Sequence, residues 1–183
     1  MTKEIRDAAL RLITGMNTGK LEFREVGFLL RKVVGYSYRV RSQRQGRTSA
    51  EVIRLEQYGP ALMGSPGSVD LHNRVDYHDP EEIAGFFHTH PPGCAQMSGR
   101  DIDTMKQQLL ASPHQRLYCL IECEGDLRAW IFYHATPGQL TISYQTAKVS
   151  YTKDGSFIVN ARWLQHAKVQ SLSGRVCREI CHS

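Results

Sequence analysis

Residues 85–102 read Gly85-Phe-Phe-His-Thr-His-Pro-Pro-Gly-Cys-Ala-Gln-Met-Ser-Gly-Arg-Asp-Ile. The apolar run Ile83-Ala-Gly-Phe-Phe predicts a buried strand that leads into His88. Pro91 and Pro92 stop it, because proline has no N–H to give to a ladder. A helix is predicted from about Ser98 to Ala111, with Ile102, Met105 and Leu109 on one face and Pro113 past its end. Ser98 and Asp101 have the spacing of a capping box, Ser98 at N-cap and Asp101 at N3.

Outward from this stretch the pattern alternates between short strands and turns. Residues 4–16 place Ile5, Ala8, Ala9, Leu12 and Met16 at helical spacing, which predicts an amphipathic first helix. Val26-Gly-Phe-Leu-Leu and Val33-Val-Gly-Tyr-Ser-Tyr read as strands, and a further strand is expected near residues 51–56. Gly59-Pro and Gly64-Ser-Pro-Gly-Ser mark a loop, and residues 69–75 alternate weakly as a strand. Residues 117–122 and 127–133 form a hairpin around Glu124-Gly-Asp. Residues 141–144 add a strand, and Asp154-Gly155 marks a second hairpin. Together these predict one α+β domain over residues 1–183, a mainly antiparallel sheet with helices against it. Its last 20 or so residues form a basic tail.

The chain has 183 residues, 41% of them hydrophobic and 22% charged, with a formal net charge of +5. These values exclude a disordered chain, a collagen and a coiled coil. No apolar run approaches the roughly 18 residues of a bilayer span, and the first residues, Met1-Thr-Lys-Glu-Ile-Arg-Asp, are too polar for a signal peptide. A cytoplasmic protein is expected. Arg39, Arg41, Arg44 and Arg47 cluster in one segment. With so little aromatic interleaving they read as a solvated hairpin rather than a nucleic-acid surface. Five cysteines, an odd number, read as reduced thiols. Cys119 lies in the apolar run Leu117-Tyr-Cys-Leu-Ile and reads as core, so the C-x3-C pairs 119/123 and 177/181 are not taken as a zinc site.

The chemistry concentrates in the opening stretch. His88 and His90 are two apart at a strand end, so both imidazoles share a face. Asp101 is i−4 from Met105 and i−8 from Leu109, in the row that packs on the sheet, and should point toward the histidines. Two histidines and one carboxylate leave a fourth position open on tetrahedral zinc, the catalytic arrangement. His72, His78, His114, His134 and His166 have no ligand-like spacing and read as surface or loop residues. Cys94, between the ligands, reads as a loop residue.

His88-Thr-His90-Pro91, then six residues, Ser98-x-x-Asp101, resembles the motif of the JAMM, or MPN+, metalloproteases, also called the JAB domain. The resemblance covers about residues 4–145. It implies a curved, mainly antiparallel sheet flanked by helices and holding one Zn2+, with His88, His90 and Asp101 as ligands. Glu25-Val-Gly-Phe-Leu-Leu is similar to the family's early glutamate segment, which implies that Glu25 is the acid/base. Glu22, Glu51 and Glu56 are rivals for that place. Ser98 is implied as a hydroxyl beside the ligands, able to donate to an oxyanion.

The implied activity is that of a zinc metallopeptidase. It would cleave after the C-terminal glycine of a ubiquitin-like or sulfur-carrier protein, held by strand addition at an exposed sheet edge near the site. No insertion follows Asp101, which suggests a compact prokaryotic type of enzyme rather than one selecting ubiquitin linkages. The alternative is a non-catalytic MPN-type scaffold, although such subunits typically lack the ligand set that this chain keeps. Residues 146–183, a hairpin and the basic tail, fall outside the resemblance.

Overall fold

A computed structural model describes residues 23–36, 38–41, 48–71, 75–135 and 140–164. The elements are β1 (Val26–Lys32), β2 (Tyr38–Arg41), β3 (Thr48–Met63), β4 (Gly85–Thr89), α1 (Gly99–Ala111), β5 (Arg116–Cys123), β6 (Asp126–His134), β7 (Ile142–Tyr151) and β8 (Phe157–Leu164). The strands run in the order β1-β4-β5-β6-β7-β8-β3, and β3 pairs back onto β1, so seven strands close into a barrel. β2 adds an eighth strand beside β3.

This closure corrects the α+β expectation. The sheet is not an open curved layer flanked by helices, as the MPN/JAB resemblance implied. It is a barrel, and α1 is the one long helix among the described residues. The expected helix over 4–16 lies outside the described residues, as do Glu22, His72, His166, Cys177, Cys181 and the basic tail.

Closure depends on β3. It runs for 16 residues, far past the expected strand at 51–56. Its first half pairs with β8, from Thr48↔Leu164 to Leu55↔Phe157, and its second half with β1, from Leu55↔Lys32 to Met63↔Val26. Gly59-Pro60 does not end the strand. Between Gly27↔Leu62 and Leu29↔Tyr58 two steps on β1 face four on β3, a bulge in which Gly59 takes φ +77 and Pro60 needs no ladder N–H. Bulges bend a strand and increase its twist, which helps a sheet to curl. Val33-Val-Gly-Tyr-Ser-Tyr is not one strand either. Gly35 turns there with φ +81, and the chain resumes as β2 on the same edge of β3.

Alternation sorts the side chains. Phe28, Leu30, Ile53, Leu55, Phe87, Tyr118, Leu120, Ile131 and Phe157 fill the barrel. Phe28 stacks on Phe87 with centroids 4.4 Å apart, and Phe157 lies 5.6 Å from Phe87. Leu29, Phe86, Leu117, Cys119, Ile121, Trp130 and Phe132 face outward, beneath Met105 and Leu109 of α1. β4 and β5 are therefore buried on both faces, which is why they read as continuous apolar runs. They are parallel, and α1 makes the crossover that a parallel pair requires. A Cβ on Gly85 would overlap the Tyr118 carbonyl across this pair. Gly85→Ala is accordingly expected to cost about 1–3 kcal/mol or more, read as a lower urea midpoint at unchanged slope.

The two short hairpins form as predicted. Glu124 and Gly125 both have positive φ in the β5–β6 turn, and Gly155 has φ +86 in the β7–β8 turn. His134 ends β6 rather than lying in a loop.

Candidate metal centre

The outer face of β4 carries Phe86 and then His88, and the chain leaves the strand at His90. α1 crosses above it. Ser98 caps the helix and the full capping box is present: Asp101 N–H donates to Ser98 Oγ at 3.2 Å, and Ser98 N–H donates to Asp101 Oδ2 at 2.7 Å. The box fixes Asp101 in the first turn, in the row of Met105 and Leu109, so its carboxylate faces the histidines. His88 Nε2 lies 3.3 Å from Asp101 Oδ1, His90 Nε2 lies 3.3 Å from Oδ2, and the two Nε2 atoms are 3.0 Å apart.

These three side chains are the group among the described residues able to hold a metal ion. Their chemistry fits one. A tetrahedron with bonds of about 2.05 Å has edges of about 3.3 Å, close to each of these separations, although the two histidines approach different oxygens of Asp101. His90 Nδ1 lies 3.2 Å from the Cys94 carbonyl. Donation of Nδ1–H there leaves the Nε2 lone pair for a cation, the usual support of a ligating histidine. Ser98 Oγ–H also donates to Asp101 Oδ2 at 2.7 Å, which leaves Oδ1 the less committed oxygen.

Burial opposes charge on Asp101, but the hydrogen bonds from His88, His90 and Ser98 prevail and hold its carboxyl far below the usual range. At His90 burial again opposes charge. The Asp101 carboxylate outweighs it and raises the imidazole above its ordinary value.

Glu25 joins this group from the other side. It directly precedes β1, whose Gly27 pairs with His88. Its backbone is tied to the chain after β3: Glu25 N–H donates to the Ser65 carbonyl at 3.0 Å, and Gly64 N–H donates to the Glu25 carbonyl at 2.8 Å. Glu25 is only 6% exposed. Burial pushes its carboxyl above the ordinary value and Asp101 adds to the rise, while His88, His90 and the Val69 N–H pull the other way. Residues 69–71, expected as the start of a strand, are not strand; the Val69 N–H goes to the Glu25 carboxylate.

Glu25, His88, His90, Ser98 and Asp101 all line one cavity of about 390 Å³. Val69 and Leu71 form one wall and Thr104, Met105 and Gln108 of α1 the other. Of the rival glutamates, Glu51 pairs with Arg116, and Glu56 pairs with Arg31 at 2.7 Å. Neither lines the cavity.

Cys119 is fully buried on the outer barrel face, as a core residue should be. His78 packs edge-on against Tyr58 at 4.7 Å, and His114 is a half-buried loop residue. The expected sheet edge beside the site is absent among the described residues, because β4 is flanked by β1 and β5. No helix among them is long and apolar enough to cross a membrane.

Ser98→Ala removes both the cap and a hydrogen bond to Asp101. It is expected to lower stability by about 1 kcal/mol and metal affinity by roughly 10–100-fold, measured by thermal melts and chelator competition. Set against protein-family models and curated proteins, the sequence matches none.

Proposed function

We propose that the chain is a zinc-dependent amide hydrolase of the JAMM type, cleaving after the C-terminal glycine of a ubiquitin-like or sulfur-carrier protein. The observation that carries this reading is the convergence of His88, His90 and Asp101 in one cavity with the buried carboxyl of Glu25. Two imidazoles and a carboxylate suit zinc with an open position. When bound, zinc supplies a Lewis acid for the scissile carbonyl and acidifies water.

The rest falls to the chain. A raised carboxyl pKa suits Glu25 to take a proton from the attacking water and return it to the leaving amine. Asp101 and His90 are held in place by Ser98 and by the Cys94 carbonyl. Ser98 already donates to Asp101, so its hydroxyl would have to turn from the ligand to serve an oxyanion. The α1 wall runs from Asp101 to Gln108, about 10 Å at 1.5 Å per residue, long enough to lie along a short extended tail. Only four residues separate α1 from β5, so the leaving side carries no elaborated subsite there.

The test is a fusion of a small β-grasp modifier, ending in glycine, to several unrelated proteins. Equal cleavage of all fusions, lost when the modifier's tail is altered, is the expected result. Cleavage that follows the leaving protein and ignores the tail would overturn the substrate assignment. Iron rather than zinc in the purified protein would overturn the chemistry, since two histidines and a carboxylate also suit iron(II).

A further inference from the structure

Two cysteines outside the ligand set line one surface depression beside it. Cys94 is exposed, in the turn that follows Pro91 and Pro92, where Gly93 takes φ +113. Cys123, at the end of β5, is buried, and its thiol donates to the Pro91 carbonyl at 3.1 Å. Gly93, Gln96 and Asp126 line the same depression.

Both also bear on His90. Its N–H donates to the Glu122 carbonyl at 2.9 Å, next to Cys123 along β5, and its Nδ1 lies on the Cys94 carbonyl at 3.2 Å. The remaining described cysteine, Cys119, is wholly buried, and burial raises its thiol well above the ordinary value.

We propose that Cys94 and Cys123 are an oxidisable dithiol pair, a modification site for peroxide that controls how firmly His90 is held. Hydrogen peroxide converts the exposed Cys94 thiol to a sulfenic acid and releases one water. The Cys123 thiol then attacks that sulfur. The S–S bond forms, and the departing hydroxyl leaves with the thiol proton as a second water. Peroxide is reduced by two electrons and the thiol pair is oxidised by two.

The bridge takes Cys123 away from the Pro91 carbonyl and pulls the Cys94 backbone toward β5. That displaces the carbonyl that orients His90. Loss of such a partner weakens metal binding by roughly 10–100-fold. The disulfide rests on the placement of the two cysteines alone. Its consequence rests on His88, His90 and Asp101 holding a metal.

The experiment treats the full chain with a small excess of hydrogen peroxide, maps disulfides by mass spectrometry without reduction, and measures zinc retention against a chromophoric chelator. Cys94→Ser and Cys123→Ala serve as controls that cannot form the bridge, each compared with its own untreated form. The expected result is a Cys94–Cys123 bridge, a fall in zinc affinity of ten-fold or more, and recovery of both on reduction with dithiothreitol.

A bridge from Cys94 to Cys177 or Cys181 would overturn the pairing. So would stable sulfinic acid at Cys94 with Cys123 unmodified. A Cys94–Cys123 bridge that leaves zinc retention unchanged would overturn the control of His90. A protein that binds no zinc before treatment would fail the metal reading itself, and the disulfide map would still decide the pairing.

Discussion

Protein purified without chelator should carry one zinc per chain, and the His88→Ala/His90→Ala variant should carry none. The double substitution removes two of the three donors and leaves Asp101 with Ser98 alone. One carboxylate oxygen does not hold zinc against solvent at nanomolar protein concentration, because structural affinities need three or four ligands acting together. The fold should survive, since both histidines face the cavity and neither belongs to the cluster that fills the barrel. Elemental analysis after dialysis gives the metal content, and circular dichroism checks the fold. Undiminished zinc in the variant would refute the assignment.

Both imidazoles must be neutral to bind, so zinc should be lost as pH falls through the histidine range. The Asp101 carboxylate raises His90 in the metal-free protein, so its proton competes from a higher pH than an ordinary histidine's would. Retention should therefore be complete at mildly alkaline pH and decline on acidification, measured by metal analysis after dialysis across a pH series.

Glu25→Gln should keep zinc and fold and lose roughly 10²–10⁴-fold in kcat, the usual worth of a general acid–base group. Glutamine matches glutamate in shape, and its carbonyl oxygen can still accept the Val69 N–H. What it cannot do is take a proton. The loss should therefore appear in kcat more than in KM, with zinc content unchanged. A Glu25→Gln enzyme that cleaves at the parent rate would remove Glu25 from the mechanism. Glu51 and Glu56 would not replace it readily, because both are paired with arginines away from the cavity.

Much of the candidate site was legible before any tertiary contact was known, because each part is set by a local rule. His88 and His90 share a side because alternate strand residues do. Asp101 faces them because it lies one helical turn before Met105, which is buried against the sheet. Ser98 follows from the cap, and all four sit within 14 residues of one another. Glu25 is different. Four glutamates were open to the role on sequence, and nothing local separates them. The choice depends on β1 lying beside β4 with Gly27 opposite His88, a contact between residues about 60 apart in the chain.

The fold divides along the same line. The short-range pieces can be read from local residues: the strand into His88, helix α1 with its cap, and the hairpins at Glu124-Gly125 and Asp154-Gly155. Each is written in side-chain periodicity and turn chemistry within a few residues. Closure of the sheet is set by contacts between distant strands. Closure needs β3 to continue through Gly59-Pro60, a dipeptide that in isolation signals a loop, and it needs β8 to come back to β3 across about 100 residues. Ladder hydrogen bonds and the burial of Phe28, Phe87 and Phe157 inside the barrel favour both. Those gains appear only when the distant strands meet, so no local pattern in the sequence could carry them.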